Sequence, residues 1–327
     1  MDLIVWGGFL CFFLAVLALD LGVLHREARV LSVPQALGWT LVWVSLALSF
    51  SVVVFGLYEY NWLDWRLAPD APGGREALLQ YVTGYLLEWS LSVDNIFVIA
   101  LIFTYMRIPP HLQYRVLFWG IVGAIVLRGL MIAAGAALIH RFDWMFYVFG
   151  LVLLFSAARL LVQQEEHIDF ESSRLLRMAR RIYPTTDQLH GEKFFVRLDG
   201  RLTATPMFLA LVLVESTDLM FAVDSIPAIF AVTQDPFLVF TSNAFAILGL
   251  RSLYFAVAGL MAMFRYLKIS LVFILAFVGV KMLLLQHYKI PNAVSLSVIA
   301  GLLAIGIIAS LWAMRLDRRD DSRGGYQ

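Results

Sequence analysis

Nine long apolar stretches divide this chain, near residues 3–24, 36–58, 78–105, 113–139, 142–162, 206–232, 237–263, 269–287 and 292–314. A hydrocarbon core about 30 Å thick is crossed by roughly 20 helical residues, so each stretch is a candidate transmembrane helix. Pro34, Pro109, Pro110, Pro206, Pro236 and Pro291 fall at or just before the start of a stretch. There the missing N–H has no intrahelical partner to lose. The chain is 61% hydrophobic and only 15% charged, which excludes a soluble domain and predicts an all-α polytopic membrane protein in one membrane domain over 1–327. One cysteine, Cys11, allows neither an intrachain disulfide nor a cysteine-based metal site. The first stretch carries Asp2 rather than a basic leader, so it reads as a retained span and not a cleaved signal.

Lysine and arginine orient the spans, because they concentrate on the cytoplasmic side. With the N-terminus outside, the inside segments 25–35, 107–115, 163–205, 264–268 and 315–327 hold 17 of the 25 basic residues, and the outside segments hold 4. The expected topology is N-out, C-in, with 163–205 a cytoplasmic loop. In that loop SRLLRMARRIY (173–183) has basic and apolar residues at helical spacing, either a solvated helix or an interfacial amphipathic one. FFVRLDGRLT (194–203) sets Asp199-Gly200 between two short strand-like runs, as a tight hairpin requires. EEHID (165–169) reads as solvated rather than metal-binding.

Several ionisable residues interrupt the spans. Each costs several kcal/mol, about 2.5–3.5 on insertion scales for Arg, Lys or Asp, and so needs a partner or a purpose. They are Asp20, Glu88, Asp94, Arg128, Glu215, Asp218, Asp224, Arg251 and Lys281, with Asn95, Ser225 and Asn243 beside them. Six acids against three mid-span bases would leave negative charge unpaired. A bound cation would resolve that, and so would protonation of some carboxyls.

The charges recur in pattern. EWSLSVDNIFVIA (88–100) over DLMFAVDSIPAIF (218–230) sets Glu88 against Asp218, Asp94 against Asp224 and Asn95 against Ser225. GAIVLRG over AILGLRS sets Arg128 against Arg251. The expected plan is two N-terminal spans (1–58), a first three-helix copy (78–162), the loop, a second copy (206–287) and a final span (292–314). Three spans per copy make the second copy inverted, the signature of alternating-access transporters with a midplane site. Glu88 and Asp94, six residues apart, lie roughly 240° apart around a helix and do not share a face. Either the helix is broken there, as Pro227 suggests for the second copy, or one acid faces substrate while the other holds an arginine. Glu215 and Asp218 share a face.

Carboxylates with amide, hydroxyl and carbonyl oxygens suit Mn²⁺, Mg²⁺ or Ca²⁺. Arg128 and Arg251 are expected to pair with nearby acids, although either would also grip an anionic substrate group. Lys281 has the same two readings. Asn243 is expected to make a helix–helix hydrogen bond, and Asp20 is either peripheral to the site or snorkels inward.

LLEWSLSVDNIFV, GAIVLRG, FFVRLDGRLTATP, ESTDLMFAVDSIPAIFAVTQDPF and TSNAFAILGLRSLYF together resemble the TerC family, most closely its Alx-like branch, over nearly the whole chain. The resemblance places the chain among LysE-type exporters. It implies Mn²⁺ export across the bacterial cytoplasmic membrane, with an association with tellurite resistance and alkaline response. It implies a substrate site of Glu88, Asp94, Asn95, Asp218, Asp224 and Ser225, with Glu215 in the same motif. The expectation is therefore a transporter and not an enzyme. Mn²⁺ is its cargo, protons are a possible counter-ion, lipids are its surroundings, and it has neither a prosthetic group nor a nucleic-acid partner. Two other readings stand beside it. One is export of a small organic solute gripped by the arginines. The other is a membrane scaffold or intramembrane enzyme, in which Asp94 and Asp224 would imitate an aspartyl dyad.

Overall fold

The computed structural model describes residues 2–20, 32–61, 72–162, 174–198, 200–258 and 267–324. In order the elements are α1 (Asp2–Ala18), α2 (Val33–Glu59), α3 (Gly74–Tyr105), α4 (Pro110–Arg141), α5 (Met145–Val162) and α6 (Arg174–Ile182). After a hairpin of β1 (Phe195–Leu198) and β2 (Arg201–Ala204) come α7 (Pro206–Phe230), α8 (Pro236–Leu248), α9 (Leu250–Ala258), α10 (Leu267–Leu284) and α11 (Asn292–Gly324). All nine apolar stretches contain helix. Seven of these helices, α2, α3, α4, α5, α7, α10 and α11, are long and apolar enough to cross a membrane. The described part of α1, 17 residues, is shorter than that.

The described part of the stretch 237–263 is not straight, and is either one broken span or a re-entrant turn. It is a bent pair, α8 and α9, turned by 46°. The break falls at Gly249, which has no side chain to hold the helix in register. Two residues on, Arg251 is drawn to Asp20 at the end of the α1 segment. Nη2 donates to the Asp20 carbonyl at 2.8 Å and to Oδ1 at 3.0 Å. The start of α8 is fixed by Asp235, whose Oδ1 accepts from the Phe237 amide at 2.9 Å while Oδ2 accepts from Tyr58 Oη at 2.6 Å.

α3 is the most enclosed of the membrane-length helices. It packs against α2, α7, α8, α9 and α11. An aromatic cluster of Phe9, Phe50, Tyr81, Phe237 and Phe245 fastens α1 and α2 to α3 and α8. α5 and α10 meet through glycines. A Cβ on Gly150 would stand 3.1 Å from the Gly279 carbonyl, and one on Gly279 would stand 3.1 Å from the Gly150 carbonyl. Only hydrogen at both positions lets the two backbones come so near. Outward faces carry Leu41, Val52, Leu130, Phe155, Ile305 and Ile308, as contact with lipid requires.

The hairpin has the predicted register, with Leu198 opposite Arg201. Gly200 takes φ +77°, a conformation that favours glycine; Asp199 lies outside the described residues, as does EEHID. α6 buries Leu176 and Ala179 and exposes Arg177, Met178, Arg180, Arg181 and Ile182, the amphipathic helix expected there. The loop is tied to the first turns of α4 by Glu192. Tyr114 Oη donates to its Oε1 at 2.9 Å, and Arg115 pairs with Oε2. The Tyr114 bond first, then the Arg115 bond, hold the Glu192 carboxyl below the usual carboxylate range. A lowered folded-state value means that the contact stabilises at neutral pH and is lost as pH falls through that value. Amides of the hairpin should therefore exchange hydrogen faster than intrinsic chemistry explains once pH falls below the ordinary glutamate range. Glu192→Gln should remove that pH dependence. Protection unchanged across this range in the native protein would show that the contact does not hold the hairpin.

Candidate functional site

The site is built where α3, α4 and α7 meet. α3 runs unbroken through Glu88 and Asp94, so the broken-helix alternative fails there. No proline or glycine interrupts the helix between Tyr85 and Tyr105. α7 is also continuous through Asp224 and Pro227. The proline sits in its last turn, where its missing N–H costs a single bond beside the helix end, and its own carbonyl still accepts from the Ala231 amide at 3.1 Å.

An unbroken α3 sorts its polar residues by face. Glu88, Ser92 and Asn95, at i, i+4 and i+7, share one face and are 0%, 1% and 5% exposed. Asp94 points elsewhere and is half-buried. On α7, Asp218 and Ser225 are seven apart on one face, with Glu215 one turn before Asp218. α3 and α7 run antiparallel. Gly84 lies against Ile229, Glu88 lies near Asp218, and Ile102 and Phe103 cluster with Met207.

Arg128 of α4 joins the two faces. Its Nε and Nη2 donate to the two Asp218 oxygens at 3.2 and 2.8 Å, and its Nη1 pairs with Glu88 Oε2. Arg128 is 1% exposed. Of the two alternatives read from the sequence, the arginine-holding one is realised. It holds for the first acid of both copies, and on one arginine. Glu215 lies against Gly123, five residues before Arg128; a Cβ at Gly123 would stand 1.9 Å from Glu215 Oε1. The missing methyl is the space this carboxylate fills. Glu215 Oε2, Glu88 Oε1, Ser92 Oγ, Asn95 Oδ1 and Ser225 Oγ are buried and have no hydrogen-bond partner. Such groups are costly in a low-dielectric interior.

The seven residues expected to form one site are thus divided. Glu88 and Asp218 share Arg128, while Glu215 stands near Asp218 and against Gly123. Asp224 turns to α5, where Ser156 Oγ donates to its Oδ1 at 2.5 Å and Arg159 lies within electrostatic reach. Asp94 has Lys268, at the start of α10, as its electrostatic neighbour. Asp94 and Asp224 therefore have different cationic neighbours on different helices. Among the described residues no three His, Cys, Asp or Glu side chains are set to hold a metal ion.

The other charge partners also depart from expectation. Arg251 holds Asp20 rather than an acid of either copy. Lys281 donates to Asn292 Oδ1 at 3.0 Å and Ser295 Oγ at 2.9 Å, with Asn292 in turn on Glu76 at 2.6 Å. It pins α10 to α11 beneath a cleft of about 420 Å³ lined by Glu59, Arg75 and Glu76. Asn243 is buried with its Nδ2 unpartnered, so no interhelical bond runs from that nitrogen among the described residues. Sequence reasoning missed Ser92, Ser156, Gly123 and the role of Asp20. Ser92 was findable, since it follows Glu88 by one turn; nothing local marks the others.

Long apolar helices around a buried carboxylate–arginine cluster define a polytopic helical membrane protein. Residues 73–318 match the family described as "Integral membrane protein TerC family", and the chain belongs to that family. It is 45% identical over 323 residues, 98% of each chain, to the "Putative membrane-bound redox modulator Alx" of Escherichia coli (strain K12). It is 52% identical over 306 residues, 94% of this chain and 91% of the other, to the "Uncharacterized membrane protein STKORF319" of Myxococcus xanthus. An "Uncharacterized membrane protein" of Rickettsia bellii is 39% identical over 306 residues, 94% of this chain and 96% of its own. The Alx-like resemblance read from the motifs is thereby shown. No solved structure matches.

Proposed function

We propose that the protein exports divalent cations, Mn²⁺ first among them, across the bacterial cytoplasmic membrane by alternating access, with a site centred on Glu88, Asp218 and Glu215. One observation carries this reading. Acids at matching positions of two sequence copies, on antiparallel helices, converge on a single buried arginine and outnumber it. The oxygen-only donors Ser92, Asn95 and Ser225 on the same two faces fit a hard cation. The antiparallel course of α3 and α7 supports an inverted relation of the copies, as midplane sites in transporters commonly have. Asp94 and Asp224, half-buried against α10 and α5, are assigned to the route of the ion. A carboxylate that releases a cation there is able to take up a proton, which would couple export to the proton gradient.

The test is metal flux. Cells lacking the protein should accumulate Mn²⁺, and the native chain in proteoliposomes should move Mn²⁺ in a way that collapse of the pH gradient abolishes. Glu215→Gln removes a carboxylate that pairs with no base among the described residues, so it should stop flux while leaving the unfolding temperature within a few degrees. Native flux of Glu215→Gln would overturn the site. Amino-acid flux in place of metal flux would overturn the substrate.

A further inference from the structure

Three carboxylates and one guanidinium line the α3–α4–α7 junction, and the guanidinium already holds two of the three. We infer that Arg128 is an internal cation, held by Glu88 and Asp218 between turnovers and displaced from them when the substrate cation binds. The inference rests on the export reading above and says how that site is kept closed and how it resets.

Geometry motivates it. Arg128 comes from α4, whereas its acceptors come from α3 and α7. The contacts therefore lock the first helices of the two copies together through a third element. All three Arg128 hydrogen bonds end on these two carboxylates. Around them Glu88 Oε1, Glu215 Oε2 and Ser92 Oγ are buried without partners. These are hard oxygen donors on α3 and α7 that no hydrogen bond uses. A purely structural salt bridge has no need of a third acid, and an acceptor buried without a partner is costly. A divalent ion at this place would take up Glu88, Asp218, Glu215 and Ser92 together. It would also carry one more positive charge than the arginine it displaces.

A guanidinium in that position explains why these carboxylates are not arranged as a metal cage among the described residues. The sequence counterpart Arg251 is committed to Asp20. In this conformation Arg128 alone of the two matched arginines holds the acids.

The experiment compares Mn²⁺ binding to full-length protein in detergent, by titration calorimetry, for the native chain, Arg128→Gln and Arg128→Lys, with Mn²⁺ flux measured in parallel. An internal competitor lowers apparent affinity by the fraction of time it holds the site. Arg128→Gln should therefore bind Mn²⁺ about tenfold more tightly or better, and should carry it more slowly because release lacks the returning arginine. Arg128→Lys keeps a charge without the planar fork and should fall between the two in affinity. It also serves should the glutamine variant fail to fold. Folded Arg128 variants that bind Mn²⁺ equally or more weakly, while the native protein binds and transports it, would overturn the internal-cation role and leave the export reading intact. A native protein that neither binds nor moves Mn²⁺, Mg²⁺ or Ca²⁺ would overturn both.

Discussion

Asp218→Asn should be among the most destabilising single changes in this protein, by about 3–5 kcal/mol, the range for removing one partner of a buried ion pair. Asp218 accepts from both Nε and Nη2 of Arg128. An amide keeps one acceptor oxygen and turns its NH₂ against a guanidinium that has only donors to offer. Glu88 is then the one ion-pair partner left, among the described residues, to a cation that is 1% exposed. Unfolding in detergent should show the loss, and a second change, Arg128→Gln, should recover part of it, because an apolar-buried pair is worse half-removed than fully removed. An Asp218→Asn protein with native stability would mean that water or another base reaches Arg128, and the cluster would not be the closed junction described.

Gly123→Ala should abolish export while hardly touching the helix that carries it. Alanine favours helix over glycine by about 1 kcal/mol, so a loss cannot come from α4 itself. The new methyl would stand 1.9 Å from Glu215 Oε1 and 2.4 Å from its Cδ, so the carboxylate must leave. Gly120, nearly one turn earlier, is the control. Its Cβ would meet only Val214 Cγ1 at 3.2 Å, a contact that a side-chain shift of a few tenths of an ångström relieves. Flux in Gly120→Ala should remain near native. In a Glu215→Ala background Gly123→Ala should add no further defect, since the group it displaces is already gone. Equal flux from Gly123→Ala and native protein would place Glu215 outside the path.

Much of the fold is legible from one-dimensional pattern. Apolar length marks every helix of membrane length, proline marks the starts of α2, α4, α7 and α11, and Asp199-Gly200 marks the hairpin turn. The candidate site was half legible, and the reason lies in rotation about an axis. Spacing alone shows that Glu88 and Asp94 cannot share a face, and the structure sends them to Arg128 and toward Lys268. What spacing cannot show is the pairing across helices. Asp20 and Arg251 meet across 231 residues. Ser156 reaches Asp224 from another helix. Gly123 matters because of what leans on it, and an absent side chain leaves no local sign of a neighbour 92 positions away. The bend at Gly249 is similar, since an apolar run that is long enough to span says nothing of whether it does so straight.

The family match begins at residue 73, after α1 and α2. Those two helices nonetheless reach into the shared part. The aromatic cluster seats them on α3 and α8, and Asp20 holds Arg251, the sequence counterpart of the arginine at the heart of the cluster. A chain trimmed to the common portion would keep both anchors of Arg128 and strand Arg251, a cation 3% exposed with its acid removed. The leading helices thus act as a brace on one half only. Of two matching arginines, one is answerable to the carboxylate core and the other to the beginning of the chain.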